Sequence, residues 1–127
     1  PEELNVVWLS INVEHECHYC VPAHTMTAQM MKVRPEVIAA LRDETPLPDM
    51  KLEALRDFTL AMVRQRGQVS DAQMESFYDA GYTRKHVLEI ILGIGQKVMS
   101  NYVNHVAKTP VDAPFAGHAW TRAMVAA

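Results

Sequence analysis

The feature that most constrains the fold is the longest uninterrupted segment, which runs from Thr83 to Lys108 and carries apolar residues at helical spacing. Two neighbouring stripes result, one made of Val87, Ile91, Ile94, Val98 and Tyr102 and the other of Leu88, Leu92, Met99, Val103 and Val106. An apolar face this wide exceeds what one short helix can cover, so the segment is predicted to be either the central helix of the core or a contact between subunits. Gly93 and Gly95 inside it predict close helix packing, because each glycine costs about 1 kcal/mol there relative to alanine.

The remainder of the chain also reads as a series of helices. The apolar patterns and stop signals predict helices over residues 2–14, 17–32, 35–43, 49–66, 70–80 and 83–108. Ser70 and Gln73 have the spacing of a capping box, and Pro22 is expected in the first turn of the second helix. After Pro110 we expect an irregular tail with a short terminal turn. No segment alternates with period two for long enough to build a sheet, so the predicted fold class is all-α, a single helical bundle.

Length and composition limit the possible functions. The 127 residues are 49% hydrophobic and 21% charged, which predicts one globular domain over residues 1–127. The net charge of −3 gives no basic footprint for nucleic acid. There is no apolar run of the ~18 residues that span a bilayer, and the first residues lack a signal-peptide pattern, so a cytoplasmic location is the default expectation. Pro1 and Glu2 resemble the start of a helix rather than of a gene, which is compatible with residues upstream.

The chemistry of the sequence is concentrated in Cys17, Cys20 and His24. The chain has two cysteines, and their Cys-x-x-Cys spacing at a helix start brings two sulfurs within disulfide reach, beside unpaired backbone N–H groups. A thiol reacts only as thiolate, which is ~3% of the total at neutral pH when the pKa is about 8.5. His24 follows Cys20 by one helical turn and could accept its proton. The spacing therefore favours Cys20 as the attacking thiol and Cys17 as the resolving thiol, although the order could be reversed.

Other interpretations of these residues remain open. The pair could be an inert buried pair, a non-enzymatic redox sensor, or part of a zinc site with His24 and either His15 or His18. Structural zinc usually takes a second ligand pair from a distant segment, and the chain has no further cysteine. We therefore predict no metal and no cofactor. His105, on the long helix, is interpreted as a packing histidine.

The segment Glu-Cys-His-Tyr-Cys-Val-Pro-Ala-His resembles the AhpD-like alkylhydroperoxidase branch of the carboxymuconolactone decarboxylase family. Its redox members carry Cys-x-x-Cys-x-x-x-His, matched here by Cys17, Cys20 and His24. The motif match covers residues 1–32, and the likeness of the remainder lies in its helical topology. The resemblance implies an all-helical homo-oligomer, such as a trimer or hexamer. It also implies hydroperoxide reduction in which the second cysteine attacks and a protein dithiol or lipoyl partner recycles the pair. The family's lactone decarboxylases lack the cysteine pair, so a lyase activity is the less favoured alternative.

The chain departs from the family pattern at the proton-relay glutamate. This residue usually lies about a dozen positions before the first cysteine, where the present chain has Asn5. An amide does not titrate and so cannot shuttle a proton. Glu14 is the nearest carboxylate that could take its place, so Glu14 is predicted as a fourth catalytic residue, with Glu3 as a weaker candidate.

Overall fold

The computed structural model describes residues 1–126 and is helical throughout its regular elements. These elements are α1 (Glu2–Glu14), α2 (Cys20–Met30), α3 (Pro35–Asp43), α4 (Met50–Arg64), α5 (Asp71–Asp79), α6 (Arg84–Ala107), a 3₁₀ helix (Ala113–His118) and α7 (Arg122–Ala126). No β-strand occurs among residues 1–126, which confirms the all-α prediction. None of the helices in this range is long and apolar enough to cross a membrane.

Local sequence signals set several helix boundaries. The third helix begins at Pro35 and ends at Asp43, as predicted. The capping box is present at α5, where the Ser70 hydroxyl accepts the backbone N–H of Gln73 and the Gln73 side chain accepts that of Ser70. These two bonds satisfy donors that the first turn of a helix would otherwise leave unpaired.

The central helix of the core is α1, not α6. It packs against α2, α3, α4 and α6, and Val6, Leu9 and Ile11 are completely buried. The helix predicted over residues 2–14 is thus present and is covered on nearly all sides. The sequence left open whether α6 would be the central helix or a subunit contact, and the structure rules out the first.

The two apolar stripes of α6 lie largely at the surface of the chain. Its exposed large apolar residues are Leu88, Ile91, Leu92, Met99, Tyr102, Val103 and Val106. The buried face instead contains Ile90, Gly93, Lys97 and Asn101. A Cβ added to Gly93 would lie 3.2 Å from a methyl carbon of Val7, so Gly93 does allow close packing against α1, whereas Gly95 faces open space.

The turn between α1 and α2 decides where the cysteines lie. After α1 ends, Glu16 adopts the left-handed conformation with φ of 49°, and the backbone N–H of Cys17 donates to the carbonyl of Asn12. Helix α2 therefore begins at Cys20 rather than at the predicted Cys17. Pro22 occupies the first turn, where proline is tolerated.

The C-terminal segment is more regular than the sequence suggested. The 3₁₀ helix packs on α2, and Trp120 is 4% exposed in a small cluster with Val13 and Val21. The indole Nε1 of Trp120 donates to the carbonyl oxygen of Arg42 at 2.8 Å. This segment therefore covers the helix that carries Cys20.

Candidate active site

Cys17 and Cys20 are joined by a disulfide, with their Cα atoms 5.2 Å apart. Cys17 lies in the turn before α2, and Cys20 is the first residue of that helix. Both are buried, at 0% and 2% exposure. The backbone N–H of Cys20 donates to the sulfur of Cys17 at 3.1 Å, which is the type of contact that a helix N-terminus offers to a thiolate.

The sulfur of Cys20 has its own polar neighbours, and they come from α6. The Ser100 hydroxyl lies 3.6 Å from this sulfur, and the amide Nδ2 of Asn104 donates to it at 3.5 Å. Hydrogen bonds to a thiolate favour the charged form and lower the thiol pKa. Sequence reasoning did not assign either residue to the site.

His24 contacts Lys97. The Nε2 atom of His24 lies 2.7 Å from the Nζ atom of Lys97, and its ring meets the edge of Trp8 with centroids 5.1 Å apart. Burial, and next the charge of Lys97, lower the pKa of His24 to about 4, so its imidazole is neutral at neutral pH. Among the described residues, no hydrogen bond joins the His24 ring to either sulfur. The expected one-turn spacing from Cys20 is present, but the direct partner of the ring is a lysine that the sequence did not indicate.

Asparagine side chains fix the start of α2 against α1 and α6. Asn101 donates to the side-chain oxygen of Asn12 at 2.9 Å, and both residues are fully buried. Asn12 in turn donates to the carbonyl of Cys20 at 3.4 Å. The oxygen of Asn101 lies 3.0 Å from Nδ1 of His15, which makes that ring nitrogen the donor. This network holds the turn, the start of α2 and the buried face of α6 together.

The histidines considered for a zinc site are engaged in other contacts. The Nε2–H of His18 donates to the carbonyl of Thr109 at 2.8 Å, and the rings of His18 and His105 stack with centroids 6.3 Å apart. Within residues 1–126, no group of three His, Cys, Asp or Glu side chains converges in a way that could hold a metal ion. The geometry therefore gives the zinc interpretation no support.

The structure does not bring Glu14 to the cysteine pair. Both oxygens of its carboxylate accept hydrogen bonds from Arg64 of α4, each at 2.8 Å, and this contact lowers the pKa of Glu14. The carboxylate is thus directed at Arg64 and, among the described residues, makes no hydrogen bond to either cysteine, so the relay role of Glu14 stays a prediction. Glu3 accepts a hydrogen bond from the hydroxyl of Tyr82 at 3.1 Å. Asn5 is fully buried and donates to the carbonyl of Pro1 at 2.8 Å.

The residues that sequence reasoning missed share one face of α6. Lys97, Ser100, Asn101 and Asn104 are spaced three, one and three residues apart, which places them on one side of a helix. The signal that could have revealed them is this polar stripe opposite the two apolar ones. The polar stripe did not predict the buried face of the helix, because apolar stripes are normally the buried ones.

Comparison with solved structures supports the fold. An uncharacterized peroxidase-related protein from Silicibacter sp. TM1040 is similar to this chain, with a TM-score of 0.79 and 21% sequence identity over 92% of the chain. The matched region is 62% of that protein, so the chain spans less than two thirds of its length. No model of a known protein family matches the sequence, and no curated protein matches it. At this identity the likeness concerns the fold alone.

Proposed function

We propose that this chain is a thiol-dependent hydroperoxide reductase of the AhpD-like type. The observation that carries the proposal is the Cys17–Cys20 pair at the start of α2, with polar donors from α6 directed at the Cys20 sulfur. The peroxidase-related name of the similar solved structure fits this assignment. We further propose that residues 1–127 form one such domain, which acts as a homo-oligomer.

The proposed reaction has three balanced steps. The Cys20 thiolate attacks the peroxide ROOH, breaks the O–O bond and, with one proton, gives a sulfenic acid and the alcohol ROH. The Cys17 thiol then displaces water from the sulfenic acid to form the disulfide seen here. An external dithiol, from a protein or a lipoyl group, exchanges with this disulfide, returns two thiols and is itself oxidised to a disulfide. Such recycling suits a compartment with dithiol reductants, such as the cytoplasm.

His24 is the proposed acceptor of the Cys20 proton. Its pKa of about 4 leaves the imidazole neutral at neutral pH, so it can take the proton only transiently and pass it on to water, and it lies one helical turn from Cys20. Glu14 has no part in these steps, because its carboxylate bonds Arg64.

A second candidate is thiol–disulfide exchange without peroxide. It is favoured by the backbone N–H of Cys20, which donates to Cys17, because this contact would stabilise a thiolate on the first cysteine instead. In that reaction Cys17 attacks a disulfide in a substrate protein and Cys20 resolves the mixed disulfide, so two thiols of the enzyme are oxidised and two substrate thiols are released.

Stopped-flow measurement of the reduced protein with hydrogen peroxide and with an alkyl hydroperoxide tests the proposal. One equivalent of peroxide should remove two free thiols, and mass spectrometry should show one intramolecular disulfide. The variants Cys17→Ser and Cys20→Ser serve as controls, since neither can form this bond. Thiols that survive excess peroxide would refute the peroxidase proposal, and their oxidation by a protein disulfide under the same conditions would favour the second candidate.

A further inference from the structure

Lys97 is a buried lysine that has no anionic partner in the described part of the chain. It is 8% exposed, its Nζ lies 2.7 Å from His24 Nε2, and it sits 5.5 Å from the centroid of the Trp8 ring. Within residues 1–126 no carboxylate forms an ion pair with it. A charged amine is costly to bury unless something compensates it, and burial accordingly lowers the pKa of Lys97. We therefore expect an interaction in some state of the protein that offsets the cost of burying this charge.

The position of Lys97 relates it to Cys20. On α6 it precedes Ser100, which touches the Cys20 sulfur, by about one helical turn. On α2, His24 follows Cys20 by about one turn, and it is His24 that Lys97 contacts. The Lys97–His24 and Ser100–Cys20 contacts are therefore successive contacts between the same two helices, separated by about 4.5–6 Å along the helix axis.

Among residues 1–126, no carboxylate pairs with the Lys97–His24 contact while the cysteines form a disulfide. The low pKa of His24 means that the pair holds at most one positive charge at neutral pH. The titratable side chains placed one turn away from it are Cys20, which precedes His24 on α2, and His15, whose ring bonds Asn101, the residue one turn after Lys97 on α6. Helix α1 contributes the Trp8 ring. Of these groups, a reduced cysteine is the one that can become an anion at neutral pH.

We propose that Lys97 is the counter-ion of the Cys20 thiolate in the reduced protein. An external dithiol delivers two electrons and two protons to the Cys17–Cys20 bond, becomes a disulfide itself and leaves two thiols. Cys20 then releases its proton by way of His24 to solvent, and the ammonium of Lys97 compensates the resulting charge. The inference builds on the proposed function in taking Cys20 as the reactive thiol.

Titration of the thiol by its ultraviolet absorbance, in a reduced Cys17→Ser background, tests this inference without peroxide. Lys97→Met should raise the Cys20 thiol pKa by about 1–2 units, which is the effect expected of an opposite charge within about 4–6 Å of the sulfur. Lys97→Arg should retain most of the wild-type pKa. In the protein with both cysteines, Lys97→Met should shift the equilibrium with glutathione toward the Cys17–Cys20 disulfide, by about tenfold for each unit of pKa change when the pH lies above the thiol pKa of both proteins.

The controls separate charge from structure. Lys85→Met changes an exposed lysine of the same helix, whose Nζ lies 3.8 Å from Glu89, and should leave the thiol pKa unchanged. If Lys97→Met does not fold by circular dichroism, Lys97→Gln decides, because it keeps a donor for His24 without the charge. Folded Lys97→Met or Lys97→Gln proteins with the wild-type thiol pKa would overturn the inference. So would a Lys97→Arg protein whose thiol pKa is raised as much as that of Lys97→Met. A wild-type protein that does not react with peroxide would instead refute the proposed function. The titration of the Cys20 thiol would still decide the role of Lys97.

Discussion

Asn104 donates a hydrogen bond to the sulfur of Cys20 at 3.5 Å, although 84 residues separate the two along the chain. The same amide group also donates to the carbonyl of Ser100 at 2.8 Å, which fixes its orientation on α6. The candidate site is therefore shared between two helices, since α2 supplies the sulfur and α6 supplies its donors. The reactivity of Cys20 should depend on how α6 docks against α1 and α2.

Removing the donors from α6 should make Cys20 less acidic. Hydrogen bonds to charged groups are worth about 1.5–3 kcal/mol, so Asn104→Ala should raise the Cys20 thiol pKa by about one unit and slow peroxide consumption about tenfold. Ser100→Ala should act in the same direction. The measurements are thiolate absorbance against pH and stopped-flow oxidation. Gln96→Ala, which alters an exposed residue of the same helix, is the control. A wild-type thiol pKa in the Asn104→Ala protein would show that this contact does not stabilise the thiolate.

The division of labour between the cysteines can be tested by trapping. If Cys20 attacks peroxide, Cys17→Ser should accumulate a sulfenic acid that dimedone labels, whereas Cys20→Ser should not. The physical reason is that Ser100 and Asn104 stabilise charge at the Cys20 sulfur. The backbone N–H of Cys20 offers a rival contact to Cys17. Preferential labelling of Cys17 in the Cys20→Ser protein would therefore reverse the assignment.

Features that depend on local signals were predictable from the sequence. The bounds of α3 follow from Pro35 at its start, and the start of α5 follows from the capping box of Ser70 and Gln73. Each of these signals acts within one turn of the chain. The start of α2 was misplaced by three residues, because the left-handed Glu16 and the bond from Cys17 to Asn12 extend the end of α1. Residue types alone do not show that conformation.

The functional face of α6 could not be predicted because it depends on tertiary packing. Binary patterning favoured burial of the apolar stripes, yet this chain buries Lys97 and Asn101 against α1 and α2. The close approach at Gly93 orients the helix in this way. The sequence placed Cys17, Cys20 and His24 on neighbouring turns because their spacing is local. It did not reveal Lys97, Ser100 or Asn104, which join them only when distant segments meet.

The exposed apolar residues of α6 predict self-association. Leu92 and Val103 are 66% and 64% exposed, and burying a side chain of this kind is worth about 1.5–3 kcal/mol. Light scattering at micromolar concentration should therefore return an oligomer, and the double variant Leu92→Glu with Val103→Glu should be a folded monomer. Lys85→Glu, on an exposed polar position, should leave the mass unchanged. A monomeric wild-type mass would contradict this prediction.

Glu14 provides a test of the carboxylate relay expected from the sequence. Its carboxylate accepts two hydrogen bonds from Arg64, so Glu14→Gln should leave the rate of peroxide consumption unchanged. If Glu14 were a proton relay, the same substitution would lower this rate at least ~10-fold. The variant should instead lose stability. Because the side chain of Arg64 is 56% exposed and solvent screens the pair, we expect a loss of up to about 1 kcal/mol.

The pH dependence of that loss identifies its cause. Arg64 lowers the pKa of Glu14 in the folded protein, so the ion pair contributes its full stability above the unfolded carboxyl pKa of about 4.3. This contribution disappears as the pH falls through the folded pKa, where the carboxylate takes up its proton. The unfolding temperature of Glu14→Gln should therefore lie below that of the wild-type protein at neutral pH and approach it in acid. Glu75→Gln, at an exposed position on α5, should unfold like wild type at every pH. If Glu14→Gln instead consumed peroxide tenfold more slowly and unfolded at the wild-type temperature, the relay role of Glu14 would be supported. The carboxylate would then have to leave Arg64 during turnover.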